Sequence, residues 1–211
     1  MLDLDALHLD PSRGVYLPLD LYNSDFAERE SATRDHVSWK FERRQHFEER
    51  NDPSRDALGQ GRWDEALRLL DEERGRWLAI AQEDEQRGAP FRRVRVVEAP
   101  PTPYMRWELH ALSVQAKAGM GIRVVDAERV RPWEKARLLP EVVVIGGRVL
   151  YEVVYTEAGV LEGGRRFTDA GLAESWERFI ACLYENGEDV VSCVDRYVSQ
   201  FPRPGLGREE D

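Results

Sequence analysis

The sequence predicts an α/β (α+β) fold: a mixed sheet with a βαβ unit and a hairpin, packed by helices, plus an N-terminal helical extension. Three observations carry this expectation. RVRVVE, PPTP, YMRWELHALSVQAKAG and GIRVVD follow one another as strand, stop, helix and strand within about thirty residues, the length of a parallel pair joined by a right-handed crossover. VVVIGGRVLYEVVY holds two apolar runs around Gly146-Gly147, which is a hairpin signal. Two amphipathic helices close the chain, one with Leu172, Trp176, Phe179, Ile180 and Leu183 in register, the other with Val190, Val194, Tyr197 and Phe201.

The remaining elements follow in order. Residues 1–23, with Pro11, Gly14, Pro18 and scattered leucines, show no sustained period and read as an irregular arm that docks its leucines. The run from Ser24 looks helical, with Ser24 as its N-cap. Val37, Trp39 and Phe41 alternate as in a strand, whereas Arg43 to Arg50 is helix-like. NDPSRDALGQG is a turn-rich break in which Gly59 and Gly61 stop any helix. WDEALRLLDEERGRWLAIAQEDEQRG reads as one helix, opened at Asp64, apolar along Leu67, Leu70, Trp77, Leu78 and Ala81, and closed by Gly88. RPWEKARLLP is a loop or short helix, the sheet continues after the turn EAG, and PRPGLGREED is a loose polar tail. The resulting division is an N-terminal arm and extension over 1–60, an α/β core domain over 61–201 and a disordered tail over 202–211.

Forty acidic residues against thirty Lys and Arg give a formal net charge of -10. That balance argues against broad, phosphate-driven nucleic-acid binding, which needs clustered cations. The run WKFERRQHFEERN does interleave Lys40, Arg43, Arg44 and His46 with Trp39, Phe41 and Phe47, a composition suited to stacking on bases. Glu42, Glu48, Glu49 and Asp52 cancel most of its charge, so a packed, salt-bridged element is the better reading. With 42% hydrophobic residues and a mean hydropathy of -0.58, the chain can bury one substantial core beneath a well-solvated surface. MLDLDALHLD has neither a basic region nor an apolar core, so no signal peptide is expected. No apolar run reaches membrane-spanning length, and the expected location is cytoplasmic. Cys182 and Cys193 read as reduced core residues.

Most catalytic patterns fail. His8, His36, His46 and His110 show no HxH or HExxH spacing and the cysteines no CxxC, so neither a metal nor a cofactor is expected. There is no GxSxG elbow, and both cysteines sit in apolar helical contexts that quench a thiol. GQGRW lacks the Lys-Ser/Thr of a phosphate loop, while LEGGRR and VIGGRV occupy hairpin positions. Acidic residues are too numerous for any pair to be assigned as acid and base.

One stretch remains as a candidate site. At about 100° per residue, Met105, Leu109, Leu112 and Ala116 share one line of the helix from Tyr104 to Ala118, and Trp107, Ala111, Val114 and Ala118 lie almost opposite. Two opposed apolar faces imply burial between two layers. Arg106 and His110 fall on a polar flank, near strand-borne Arg95 and Arg123, at the carboxyl end of a strand where open α/β sheets collect ligands. Arg95, Tyr104, Arg106, His110 and Arg123 are therefore the candidate ligand-binding residues for a small anionic ligand. An enzyme of unrecognised type would add Glu108, although Glu108 and His110 stand about 160° apart on the helix. The plainer alternative, in which Arg106 and Glu108 pair with neighbouring elements and His110 is a satisfied layer-edge histidine, is preferred.

The runs SWKFERRQHF, GRWDEALRLLDEERGRW, RVRVVEAPPTPYMRWELHAL, GIRVVDAERV and LPEVVVIGGRVLYEVVYTEAGV, in this order, resemble an actinobacterial domain-of-unknown-function family common in streptomycetes. The resemblance covers about residues 36–201, and RVRVV with YxxWELH is its most specific part. It implies an intracellular α/β domain encoded near helix-turn-helix regulators and small acidic partner proteins. The element order is also similar to half of a phospholipase-D-like domain, but that chemistry needs His-x-Lys, and here His110 is followed by Ala111 and Leu112. The expected function is thus a non-catalytic regulatory or partner-binding domain, tied by that neighbourhood to transcriptional regulation. The alternative is an enzyme or small anionic-ligand binder with a pocket near residues 95–110. The expected partner is a regulator protein or a small anion, with a homodimer left open.

Overall fold

The computed structural model describes residues 5–135 and 137–200. Its organising element is an eight-stranded mixed sheet. The strands are β1 (Val15–Pro18), β2 (Ser38–Glu42), β3 (Phe91–Val97), β4 (Gly121–Asp126), β5 (Val142–Ile145), β6 (Val149–Tyr155), β7 (Leu161–Phe167) and β8 (Glu188–Asp189). They lie in the order β1-β7-β6-β5-β2-β3-β4-β8. β2, β3 and β4 are mutually parallel neighbours, and every other pair is antiparallel. The helices are α1 (Leu19–Ala32), α2 (Pro53–Gly59), α3 (Trp63–Glu72), α4 (Arg74–Gln86), α5 (Pro103–Lys117), α6 (Ala170–Glu185) and α7 (Val190–Gln200).

Alternation along the strands sets the layers. Trp39 and Phe41 of β2, Val94 and Val96 of β3 and Val142 and Val144 of β5 point to one face, where Trp176, Phe179 and Ile180 of α6 close the main core. Leu7 and Leu9 from the N-terminal arm dock into the same core, as expected of its leucines. The other face is covered in two separate parts. Tyr22 and Phe26 of α1 cover β5 to β7, and Met105, Leu109 and Leu112 of α5 join α7 over β3 and β4. The opposite side of α5, through Trp107 and Val114, packs on α2 and α3. The two apolar faces read from the sequence thus meet two different layers.

The α/β class, the parallel β3–α5–β4 unit and the β5–β6 hairpin agree with the sequence reading. At the hairpin, Gly146 and Gly147 have φ of +56° and +65°, the left-handed backbone that such a two-residue turn requires. β7 does continue the sheet after EAG.

Several expectations are corrected. The arm contains β1, and α1 begins at Leu19: Pro18 ends the strand, and Ser24 lies inside the helix with its hydroxyl donating to the Asp20 carbonyl at 2.9 Å. Arg43 to Arg50 is not helical, because its side chains go to distant partners: Arg43 to Glu98 and Glu134, Gln45 to Val96, Phe47 to the core. NDPSRDALGQG forms α2, started by the Asp52 cap on the Arg55 amide and by Pro53 in the first turn. The long helix is two, α3 and α4, broken at Glu73 just before Gly75, a poor helix former. A boundary at residue 60 does not separate an extension from the sheet, since β2 lies at its centre and β1 at its edge. Cys182 is exposed and only Cys193 is buried. Burial and the nearby Glu188 push the Cys193 thiol up to about 12. Phe201 and the tail over 202–211 lie outside the described residues. Among the described residues no helix is long and apolar enough to cross a membrane.

Candidate functional site

The two helical covers of the second sheet face do not meet over β2. On that face Lys40 and Glu42, which alternate with Trp39 and Phe41, lie under α3, α4 and α5, while Ser38 is buried with its hydroxyl accepting from the Gly146 amide. On the neighbouring strand the same face carries Arg93 and Arg95, in register with Lys40 and Glu42 respectively. The result is a charged floor beneath a cleft of about 690 Å³. Its walls are Trp107, Ala111 and Leu112 of α5, Leu69, Leu70 and Trp77 of α3 and α4, and the segment from Glu49 to Ser54.

The floor is tightly paired. Lys40 Nζ lies 2.6 Å from Glu42 Oε1, and Arg93 Nε lies 3.5 Å from Glu42 Oε2. Burial pushes the Glu42 carboxyl up, but Arg93, Lys40 and Arg95 outweigh it and hold the group at about 2. Arg95, fully buried, grips Glu108 with Nε and Nη2 at 3.0 and 2.7 Å, and donates from Nη1 to the carbonyls of Glu42 and Val96. Its guanidinium lies 5.4 Å from the Phe47 ring centroid. Burial pushes Glu108 up against the pull of Arg95, and burial also pushes up Glu49, whose Oε1 is 3.3 Å from the Tyr104 hydroxyl. Behind the floor, Glu141 Oε1 accepts the backbone amides of Arg43 and Arg44 at 2.9 and 2.7 Å. Its Oε2 has no hydrogen-bond partner, and burial raises the carboxyl to about 7.

Of the five candidate residues, Arg95 and Tyr104 come together with Glu108 beside this cleft. The other three point elsewhere. Arg106 donates to the Pro101 carbonyl at 3.4 Å. His110 packs edge-on against Trp63, with ring centroids 5.7 Å apart, and burial lowers its pKa. Arg123 pairs with Asp189 at 3.1 Å and lies over the Tyr184 ring. None of these three lines the cleft. Lys40, Glu42, Arg93 and Trp77 were not anticipated. The alternation of SWKFE placed Lys40 and Glu42 on one strand face, but no local signal places a cleft above it. Among the described residues, no group of three or more His, Cys, Asp or Glu side chains is placed to hold a metal ion.

The model of the family described as Domain of unknown function (DUF6879) matches residues 24–194. The chain belongs to that family. The DUF6879 span runs from the interior of α1 into α7 and contains every residue that lines the cleft, while β1 lies outside it. No curated protein and no solved structure matches the chain.

Proposed function

We propose that this DUF6879 protein is a non-catalytic regulatory module that takes up a small ligand in the cleft over β2 and relays it to a protein partner. The observation that carries this reading is the cleft itself: about 690 Å³, within the range of small-molecule sites, with an apolar wall that includes Trp77 and Trp107 in an otherwise strongly charged lining. The state of its acids favours binding over proton transfer. Glu42, held at about 2, is a poor general base at neutral pH, and both oxygens of Glu108 are occupied by Arg95. The decisive experiment is a ligand-observed NMR screen of the full chain against a fragment and metabolite library, with hits mapped by Trp77→Leu. Saturable hits that this variant weakens support the reading, and a screen without saturable hits overturns it. An enzyme is the second reading, favoured by Glu49, a cleft acid raised by burial and hydrogen-bonded to Tyr104. It requires turnover of a screened compound that Glu49→Gln abolishes.

A further inference from the structure

Hydrogen bonding in the cleft over β2 is lopsided. Glu108 is engaged by Arg95, Glu49 by the Tyr104 hydroxyl, Asp52 by the Arg55 amide and Glu42 Oε1 by Lys40, while the buried Glu42 Oε2 has no hydrogen-bond partner and only the 3.5 Å ion pair with Arg93. At the rim, Glu72 pairs with Arg68 and Glu73 with Arg76. The floor cations are less fully used. Arg93 approaches Glu42 only through Nε, and neither of its two Nη atoms has a hydrogen-bond partner among the described residues. Lys40 Nζ has Glu42 as its one partner among them, leaving two of its three hydrogens. The two side chains stand on register-paired residues of adjacent strands. They retain 23% and 20% exposure, against 5% for the Glu42 side chain between them. Arg95 is fully buried outside the cleft lining and is taken up by Glu108, so the positive charge that reaches the cleft floor is that of Lys40 and Arg93. Beside this charge stands an apolar wall containing Trp77 and Trp107.

We propose that the cleft binds a small organic acid, its carboxylate seated on the Arg93 Nη atoms beside Lys40 Nζ and its apolar or aromatic body against Trp77 and Trp107. The planar guanidinium fork matches the two oxygens of a carboxylate and supplies charge-assisted bonds that an amide cannot equal. Six carboxylates line the same cleft, so the carboxylate of the ligand seats directly on Arg93 and Lys40, the two cations of the β2–β3 floor. This proposal rests on the reading of the cleft as a ligand site and adds the chemistry of the ligand.

Two matched series test it on the full chain by calorimetry and thermal shift: benzoate, benzamide and benzylamine, then indole-3-acetate, indole-3-acetamide and tryptamine. Both acids are expected to bind saturably, and their amides and amines about tenfold more weakly or worse. Arg93→Lys keeps a cation beside Glu42 but removes the fork, and is expected to weaken both acids about tenfold. Trp77→Ala should weaken indole-3-acetate more than benzoate, and Arg123→Lys, away from the cleft, should change neither. Circular dichroism and the unfolding midpoint of each variant separate lost binding from lost fold. The proposal is overturned if neither acid saturates, if the amines bind as tightly as the acids, or if Arg93→Lys binds the acids unchanged. Tight binding of the amines, displaced by the Trp77 variant, would keep the cleft as a ligand site with the opposite chemistry. A library with no saturable binder would instead remove the cleft reading itself.

Discussion

Arg95 is fully buried with the carboxylates of Glu108, Glu42 and Glu141 around it, so a single cation serves three acids. Arg95→Met leaves those acids without it and is expected to cost about 3–5 kcal/mol, the range for breaking a buried pair from one side. Glu108→Gln should cost less, because Arg95 keeps Glu42 and two backbone carbonyls. Urea unfolding of both variants checks the order, and equal losses would refute the shared-cation account. Glu141 gives the molecule a pH dependence of opposite sign to Glu42. Its folded pKa is raised from 4.5 to about 7, so the folded chain holds a proton that the unfolded chain releases. Stability therefore falls as pH rises from about 4.5 to about 7. Glu42, lowered from 4.5 to about 2, contributes fully above 4.5 and loses its contribution as pH falls toward 2. Glu141→Gln is expected to exceed wild type by about 1–3 kcal/mol at pH 7.5 and to converge with it near pH 4.5. Parallel stability curves across that window would sink the assignment.

Among the elements, α2 shows how a short helix can be concealed by its own start signal. Asp52 and Pro53 are a cap and a first-turn proline, yet beside Gly59 and Gly61 the same residues read as a turn. What holds α2 in place is tertiary: Ser54 Oγ donates to the Ala66 carbonyl of α3 at 2.8 Å and accepts from Trp107 Nε1 of α5 at 2.7 Å. Ser54→Ala orphans both groups in a buried site and is expected to destabilise the protein by about 1–3 kcal/mol. The Trp107 environment should change with it, visible as a shift in tryptophan emission, whereas an unshifted spectrum would argue that the link is dispensable. By contrast, α5 was legible in its two apolar faces, although its Thr102 cap and Pro103 start were read only as a stop. Thr102 caps it through the Met105 amide, Pro103 opens it, and its two apolar stripes predicted the two layers it separates.

At the scale of the whole molecule, α2, α3 and α4 form an outer layer joined to the sheet through α5, and that layer roofs the cleft. Amides of β2, β3 and β5, central in the sheet, are expected to exchange slowest with deuterium, and those of α2 and α4 much earlier. A cleft ligand should slow exchange in Leu69 to Trp77 and leave α1 unchanged; protection spread evenly over the chain would place the ligand elsewhere. The sequence by itself determined the α/β class, the βαβ unit, the hairpin and the packing of α5 between two layers. These rest on periods of two and about 3.6 residues and on glycine turn chemistry, all local properties of the chain. It could not place β2 at the centre of the sheet, because its neighbours β3 and β5 begin far along the chain, at Phe91 and Val142. Nor could it tell that α3, α4 and α5 leave a cleft over Lys40 and Glu42. Arg43 to Arg50 failed for the same reason, its side chains being claimed by Glu98, Glu134 and the core. The cleft and its charged floor exist only once separate segments, β2, β3, α3, α4 and α5, are packed against one another.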